Sequence, residues 1–280
     1  MRTKVISSTI ELEQIISANR SKGLTIGFVP TMGALHEGHL SLIKSSKEQT
    51  DFTVCSIFVN PKQFNKTEDL EHYPRSLELD IRKLETVSCD LVFAPTENEI
   101  YQDEAPFEFD FAGLDQYMEG KFRSGHFKGV VHVVKRLFEI VRPEKAFFGL
   151  KDYQQFVIIQ HLVRFFNLPI EVVGCQTVRE RNGLALSSRN SQLKAKDIPA
   201  ALELSKALNL IKTEFEKSNL DTIKQQAINQ LEKHTKLEYL IIADSSNLYP
   251  LENWSDAQHA RAFVAAEVSG VRLIDNVEIF

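Results

Sequence analysis

The chain has 280 residues, of which 43% are hydrophobic and 25% are charged, and its formal net charge at pH 7 is −5. Length and composition indicate a globular protein with one large or two modest domains rather than a disordered chain. The acidic balance, without long runs of like charge, argues against a general nucleic-acid-binding protein, because such proteins usually carry a basic patch.

The cysteines and the hydropathy pattern indicate a cytoplasmic protein. The N-terminal segment lacks the apolar stretch of a signal peptide, and no run approaches the roughly 18 apolar residues of a membrane span. Cys55, Cys89 and Cys175 form no C-x-x-C pair, and Cys55 and Cys175 lie in apolar, strand-like contexts. We expect these two to be small buried side chains, and neither a disulfide framework nor a zinc site.

Hydrophobic periodicity predicts alternating helices and strands up to about residue 175. The predicted helices cover 9–23, 37–49, 77–87, 129–141 and 152–166, and the predicted strands cover 24–29, 52–59, 90–95, 145–149 and 169–175. This alternation predicts an α/β fold with a doubly wound parallel sheet. Right-handed crossovers then place all loops that follow a strand at one edge of the sheet.

The pattern changes after about residue 178, where a polar loop begins. Helices are predicted over 198–218 and 220–235, and strands over 237–244, 261–268 and 271–280. We therefore predict two domains, a doubly wound domain over 1–178 and a smaller α+β domain over 179–280.

Polar segments follow four of the predicted strands. They are PTMGALHEGH, NPKQFN, GLKDYQQ and VRERNGLALSSRN. Ligands of a doubly wound sheet bind beyond the carboxyl ends of its strands, so these loops are the expected ligand site. Within NPKQFN, Asn60 and Gln63 supply neutral amides of the kind that orient a charged reactant.

His36 and His39 lie three residues apart near a predicted helix start. They share one helix face, and a helix N-terminus attracts anions. Gly38 has no side chain, so a base or phosphate can approach the backbone there. The spacing differs from the i,i+4 pair of a metalloprotease helix, and no third ligand is obvious nearby. A nucleotide site, a metal site and a simple helix start stay open on this stretch alone.

A nucleotide would have to be held without a P-loop or a dinucleotide fingerprint, since neither motif occurs. Ser187, Ser188 and Arg189 offer two hydroxyls and a fixed cation for phosphate. The alternative is a serine cap and a solvated arginine. Lys151 can act as a point charge on phosphate, or lie exposed before Asp152 as a helix cap.

Eight sequence blocks together resemble the pantothenate synthetase (pantoate–β-alanine ligase) family. They are VPTMGALHEGHLSLI, SIFVNPKQF, HYPRSLELD, DLVFAP, EGKFRSGHFKGVV, FFGLKDYQQ, GLALSSRN and RLIDN, in the family's order from about residue 24 to 278. The resemblance implies a Rossmann-like domain, related to nucleotidyltransferases and class I tRNA synthetases, with a smaller C-terminal domain as a cover. It also implies a homodimer, and the charge and hydropathy patterns above predict no nucleic-acid or membrane partner.

The resemblance implies an ATP-dependent ligase. It would condense (R)-pantoate with β-alanine to pantothenate, AMP and pyrophosphate through a pantoyl adenylate, with Mg²⁺ accompanying ATP. The position of His39 is the family's proton donor and that of His36 contacts phosphate; Lys151 and Arg189 complete the predicted catalytic set. The positions that match ATP contacts are Met32, Gly33, Ala34, Leu35, His36, Glu37, Gly38, His39, Gly149, Leu150, Lys151, Asp152, Val178, Leu186, Ser187, Ser188 and Arg189.

The remaining predicted site residues concern the other substrates and the metal. Gln63 and Gln155 match the positions that hold pantoate, with Gln63 also near β-alanine, and Asn60 is added from the residue pattern. Asp80 matches a carboxylate near Mg²⁺.

Some residues depart from the family pattern. Leu150 replaces an expected polar residue, which puts the finer ATP contacts there in doubt. Lys62 occupies a position where the family commonly has an apolar residue. Ser124 occupies one where proline is usual, and Lys128 one where arginine is frequent. A nucleotidyltransferase that stops after adenylyl transfer is the main alternative, and a silent binding protein is another. A tRNA synthetase is disfavoured, because about 100 residues leave little room for an anticodon-binding module.

Overall fold

The computed structural model describes residues 3–64, 70–71, 73–102 and 105–280. His72, in the HYPRSLELD block, lies outside these ranges. Residue contacts divide the chain into two compact units. The first unit comprises the chain up to Phe111 with Arg123–Leu150 and Gln155–Gln176, and the second comprises Ala112–Phe122, Lys151–Gln154 and Thr177–Phe280. The domain boundary predicted at 178/179 lies close to the break at Gln176, but the prediction kept 112–122 and 151–154 in the first domain.

Six parallel strands form one sheet within the described part of the first unit, and three antiparallel strands form the sheet of the second. The strands are β1 (Lys4–Ile6), β2 (Ile26–Thr31), β3 (Phe52–Ile57), β4 (Leu91–Phe93), β5 (Lys145–Gly149), β6 (Glu171–Cys175), β7 (Lys236–Asp244), β8 (Ala260–Val268) and β9 (Val271–Glu278). The predicted doubly wound parallel sheet and the smaller α+β unit are both confirmed. Strand β1, which pairs with β4, is an addition that the sequence did not predict.

Helices connect and cover these strands. They are α1 (Thr9–Arg20), α2 (Glu37–Gln49), α3 (Leu77–Thr86), α4 (Glu97–Tyr101), α5 (Met118–Phe122), α6 (His126–Val141), α7 (Tyr153–Phe165), α8 (Ile198–Glu214) and α9 (Leu220–Leu231). The two short helices, α4 and α5, were not predicted, and α6 begins three residues before its predicted start. Over the described ranges, none of these helices combines the length and hydropathy needed to cross a membrane.

The central strands of the larger sheet are covered on both faces, as their apolar sequences predict. On one face, α2 packs so closely on β2 that only glycine fits at Gly27. A Cβ at Gly27 would lie 2.1 Å from Ser46 Oγ and 2.3 Å from Thr50 Oγ1. The C-terminal end of α2 is therefore held firmly against the sheet.

The strand order of this sheet is β1-β4-β3-β2-β5-β6. Its central part, β4-β3-β2-β5-β6, is the doubly wound Rossmann order, in which the chain moves outward in opposite directions from β2. The switch point therefore lies between β2 and β5, and ligands of such sheets bind outside the carboxyl ends of the strands there. The loop after Thr31 and the residues after Gly149 lie at these two strand ends.

In the second unit, α8 and α9 pack on the sheet β7-β8-β9 through an apolar core that includes Leu204, Leu208 and Val264. Strands β8 and β9 join through Ser269 and Gly270, both with positive φ, as the predicted turn requires.

Candidate active site

The loop after β2 makes a left-handed turn that one carboxylate holds in place. Gly33 has φ +80° and Ala34 has φ +50°. The backbone N–H of Ala34 donates to Asp80 Oδ2 at 2.9 Å, and that of Leu35 donates to Asp80 Oδ1 at 2.8 Å. A left-handed alanine is strained, so these two hydrogen bonds stabilise the conformation.

Asp80, on α3, anchors this loop, and its place near Mg²⁺ stays a prediction. Its carboxylate is buried, with 2% of the residue exposed, and each oxygen accepts a backbone N–H. Within the part of the chain that the structure describes, no three His, Cys, Asp or Glu side chains form a group able to hold a metal ion. The donors present therefore do not make a protein-built Mg²⁺ centre.

His36 and His39 form a capping box at the start of α2. The Nδ1 atom of His36 accepts the N–H of Gly38 at 3.1 Å, and Nδ1 of His39 accepts the N–H of His36 at 3.3 Å. The two ring centroids lie 4.1 Å apart. The three-residue spacing is therefore the spacing of a reciprocal cap, which confirms the prediction of a helix start.

The cap also fixes where each imidazole carries its proton. A backbone N–H can only donate, so each Nδ1 presents its lone pair and the proton of the neutral ring lies on Nε2. The N–H of each neutral ring is thus on Nε2, and both rings lie at a helix N-terminus, where the dipole favours anions. A zinc ion would need the Nε2 lone pairs, and the proton moved to Nδ1 would break the cap. The geometry therefore favours an anionic ligand over a metal.

The NPKQF segment after β3 is tied to the loop after β2. Gln63 Nε2 donates to Met32 Sδ at 2.6 Å, and Asn60 Nδ2 donates to Gln63 Oε1 at 3.3 Å. The amide of Asn60 is further fixed, because its Nδ2 donates to the Gly129 carbonyl at 3.0 Å and its Oδ1 accepts from the Tyr101 hydroxyl at 2.8 Å. Gln63 and Asn60 are both buried, so their amide orientations are set before any ligand binds.

His126, on α6, was not predicted as part of the site, yet it holds the Gln63 peptide. Its Nδ1 lies 2.8 Å from the Gln63 carbonyl oxygen and therefore donates, and its Nε2 accepts from Arg123 Nη1 at 3.2 Å. Gly129 allows this close approach, since a Cβ there would lie 2.2 Å from the Lys62 carbonyl oxygen. The GHFKG sequence of the EGKFRSGHFKGVV block is the signal that marks these contacts.

Two departures from the family pattern find physical partners. The Lys62 ammonium lies 3.4 Å above the centre of the Tyr101 ring, a cation–π contact. Leu150 packs against β6 at Gly174, where a Cβ would lie 2.7 Å from Leu150 Cδ2. Leu150 thus contributes to packing. A Cβ at Gly149 would meet none of the described atoms within 4 Å, so the backbone at the end of β5 is open to a ligand.

Gln155, predicted to hold pantoate, is half-buried on α7, whereas its neighbour Gln154 is buried. In the second unit, Gln154 Nε2 donates to the carbonyls of Leu114 and Tyr117 at 2.8 and 2.9 Å. The two adjacent amides therefore differ: Gln154 is buried and fixes the 112–122 segment, whereas the Gln155 residue is half-buried.

Lys151 and Asp152, which belong to the second unit, follow β5 in the 3₁₀ turn Leu150–Asp152. The Lys151 side chain is 17% exposed, and its Nζ lies 3.7 Å from Asp152 Oδ1. The Lys151 carbonyl accepts from Asn276 Nδ2 at 2.7 Å. The ammonium is therefore loosely paired, whereas its backbone is firmly held.

Val178 and Leu186 are brought together by a short hairpin, in which Leu186 N–H donates to the Val178 carbonyl at 3.0 Å. Ser187 Oγ accepts the N–H of Arg189 at 3.3 Å, so Ser187 acts as a cap, as one of the alternatives for this segment predicted. Ser188 and Arg189 are half-buried in the 3₁₀ turn that follows.

An ion pair between the buried Glu119 and the half-buried Arg272 fixes α5 in the second unit. Arg272 donates from Nη1 and Nη2 to the two Glu119 carboxylate oxygens at 2.8 and 2.6 Å, and the Tyr239 hydroxyl donates to Glu119 at 2.8 Å. Burial, with the Glu119 charge, raises the pKa of Tyr239 well above its usual value. Burial alone would lower the pKa of Arg272, but the carboxylates of Glu119 and Glu238 more than offset it and raise that pKa.

The cysteines offer no activated thiolate. Cys55 is buried as predicted, and burial raises its pKa well above the usual value. Burial raises the pKa of Cys89 to about 12. Cys175 is half-buried at the end of β6, less covered than predicted, and burial still raises its pKa. Burial therefore disfavours the nucleophilic thiolate at these positions.

Comparison with known proteins agrees with this geometry. Residues 4–278 match the model of the family described as pantoate–β-alanine ligase. The chain belongs to this family. A pantothenate synthetase of Christiangramia forsetii is 47% identical over 274 residues, with 96% of each chain covered, and one of Bacteroides thetaiotaomicron is 42% identical over 278 residues, with 98% of each covered.

Solved structures extend the family comparison to the fold. The pantothenate synthetase of Thermus thermophilus superposes with a TM-score of 0.92 at 38% identity, covering 99% of this chain and 100% of that one. A pantoate–β-alanine ligase of Francisella tularensis, complexed with beta-gamma ATP and β-alanine, gives a TM-score of 0.82 at 36% identity, with 99% and 98% covered. Like its homologues, the chain is an enzyme of the carbon–nitrogen ligase class.

Proposed function

We propose that this enzyme joins pantoate to β-alanine at the expense of ATP, through a pantoyl-adenylate intermediate. The observation that carries this proposal is the capping box that His36 and His39 form at the N-terminus of α2, directly after β2 at the switch point of the sheet. Family membership supplies the substrates, and the Francisella tularensis relative was crystallised with two ligands of the expected kinds.

In the first step, a carboxylate oxygen of pantoate attacks the α-phosphorus of ATP. The bond from this phosphorus to the bridging oxygen breaks, and pyrophosphate leaves with the electron pair. Two anions react slowly unless they are positioned and their charge is stabilised. His36 and His39 would donate from Nε2 to phosphate oxygens as neutral rings. Lys151 and Arg189 would supply the positive charge, with the Ser188 hydroxyl beside Arg189.

In the second step, the amine of β-alanine attacks the acyl carbon of the adenylate. The bond from this carbon to the AMP oxygen breaks, the amine loses a proton, and pantothenate and AMP are released. Gln63 and Gln155 would hold pantoate, and Asn60 keeps the Gln63 amide in its orientation. Mg²⁺ enters this proposal only as the ion that accompanies the ATP phosphates.

Pantoate-dependent exchange between ATP and pyrophosphate tests the first step. We expect His39→Ala and Lys151→Ala each to lower this exchange on the order of 10²–10³-fold, the usual cost of losing one preorganised donor. His234→Ala and Lys233→Ala are matched controls on an exposed segment and should exchange normally. Exchange near the wild-type rate in both site variants would refute the assigned roles.

A nucleotidyltransferase that stops after adenylyl transfer would also show the exchange. The two functions differ in what happens next, because only the ligase needs β-alanine for net formation of AMP. A mass-spectrometric product assay with ATP, pantoate and β-alanine distinguishes them: the proposed function requires pantothenate and AMP in equal amounts.

A further inference from the structure

The RLIDN block, residues 272–276 on β9, contains two buried polar residues to which the proposed reaction gives no role. Asp275 is 5% exposed and Asn276 is 4% exposed. Resting on the proposed function, we propose that these two are positioning residues for adenylation: Asn276 sets the position of Lys151, and Asp275 sets the hairpin that leads to Ser188 and Arg189.

Asn276 has a single amide orientation. Its Nδ2 donates to the Lys151 carbonyl at 2.7 Å, and its Oδ1 accepts from Arg261 Nη1 at 2.7 Å. Arg261 is itself buried and lies 4.0 Å from the centre of the Tyr153 ring. An amide flip would place an N–H against the guanidinium and an oxygen against the carbonyl. The Lys151 peptide is therefore held by a group that cannot rotate.

Asp275 holds the hairpin in the same way. Its carboxylate accepts from Arg179 Nη1 and Nη2 at 2.6 and 2.9 Å, a bidentate pair. Arg179 Nη1 also donates to the Gly183 carbonyl at 3.1 Å, which closes the hairpin turn, and the backbone of Arg179 bridges to Ala185. Ser187–Arg189 continue from this closed hairpin.

Consecutive positions on one strand therefore anchor two segments that are separate in sequence. Neighbouring side chains of a strand point to opposite faces of its sheet. The peptide unit that joins Asp275 to Asn276 therefore fixes the positions of both anchoring side chains. Phosphoryl transfer depends on the placement of cations, and a misplacement of about 1 Å can cost on the order of 10²-fold in rate. Loss of Asn276 should therefore act on the chemical step through Lys151, without contact between Asn276 and substrate.

A double-mutant cycle on pantoate-dependent ATP–pyrophosphate exchange tests this. We expect Asn276→Ala to lower the kcat of exchange on the order of 10–10²-fold in the wild-type background. In the Lys151→Ala background, the same substitution should change kcat less than about three-fold, because its effect passes through Lys151. Equal fold-changes in kcat in the two backgrounds would overturn the proposal. A general structural defect would lower kcat by the same factor whether or not Lys151 is present.

Two further variants keep the result interpretable. Asn276→Asp is isosteric and retains an acceptor for Arg261, but it turns an oxygen toward the Lys151 carbonyl. Its effect on kcat should likewise depend on the presence of Lys151. This variant replaces Asn276→Ala in the cycle if the alanine variant does not fold. Asn219→Ala is a matched control, since it removes the α9 cap, where Asn219 Oδ1 accepts from Thr222 N–H at 2.8 Å. It should lower stability and leave exchange unchanged. A wild-type enzyme without pantoate-dependent exchange would instead refute the proposed function itself.

Discussion

The two units hold their reactive loops by different means. In the first, Asp80 binds the turn at Ala34 and Leu35 from 46 and 45 residues away, and His36 and His39 cap one another across three residues. In the second, the anchors come from β9, which lies 125 residues from Lys151 and 96 residues from Arg179. The first set of contacts lies within the unit of the larger sheet. The second set requires β9, the last strand of the chain.

This difference predicts where each loop is vulnerable. The contacts of β9 depend on the second unit being folded, and those of Asp80 depend on the first. Damage to β9 should therefore loosen the Lys151 segment and leave the loop after β2 intact. Damage to Asp80 should have the opposite effect.

The largest effect is expected from Arg272→Ala on β9. Removing the guanidinium leaves the Glu119 carboxylate buried without its partner, which typically costs about 3–5 kcal/mol. Hydrogen exchange should show faster exchange in α5 and β7, with β3 of the first unit unchanged. Lys236→Ala, which breaks the exposed Lys236–Glu267 pair on the same sheet, should cost less than about 1 kcal/mol. Similar exchange patterns in the two variants would contradict the role of the buried pair.

Asp80→Ala is the matching experiment on the first unit. It removes the two charge-assisted hydrogen bonds by which Asp80 holds the left-handed turn at Ala34, so we expect about 2–3 kcal/mol less stability in urea unfolding. Exchange of pyrophosphate should fall at least about 10-fold, because the histidine pair follows this turn. Glu78→Ala, an exposed residue in the same turn of α3, is the control and should behave as wild type. Normal activity in Asp80→Ala would show that the turn needs no anchor.

His36→Asn separates the capping role of His36 from its proposed contact with phosphate. Asparagine is a preferred N-cap, and its Oδ1 can replace Nδ1 as the acceptor from Gly38, so stability should change by less than about 0.5 kcal/mol. The Nε2–H donor is lost, so pyrophosphate exchange should fall on the order of 10²-fold. His36→Ala should lose both the exchange and about 1 kcal/mol of stability. Pyrophosphate exchange at the wild-type rate in His36→Asn would show that His36 acts only as a helix cap.

The sequence predicted those helices, strands and loops whose structure depends on the hydrophobic pattern of neighbouring residues. Strand β3 is an unbroken apolar run, α2 has helical periodicity after a polar start, and the loops that follow strands contain His36 and Lys151. Strand β1 was missed because its three residues are defined only by their pairing with β4.

The anchors were not predicted, because their partners lie far away in the sequence. Nothing around Asn276 indicates that its amide will meet the Lys151 carbonyl, and nothing around Asp80 indicates two backbone donors from the loop after β2. The family resemblance placed Asp80 near Mg²⁺, and only the folded structure shows that each of its oxygens accepts a backbone N–H. Sequence blocks such as RLIDN mark these positions without explaining them.

The smallest effect concerns Asp51, which joins β2 and β3 at the end of the sheet opposite the site. Its carboxylate accepts from the backbone N–H and hydroxyl of Thr25 at 2.9 and 2.7 Å, and these bonds lower the pKa of Asp51. A pKa lower in the folded than in the unfolded state gives stability that is present above the unfolded value, about 3.9, and is lost as the pH falls through the folded value. Asp51→Asn should therefore unfold at lower urea than wild type at pH 7, and the gap should close on acidification toward pH ~2. Pyrophosphate exchange should be unchanged, because this contact is local and lies at the amino ends of the strands. A difference in urea midpoint between wild type and Asp51→Asn that does not change with pH would contradict this account. So would an equal difference for Glu48→Gln, which alters an exposed carboxylate.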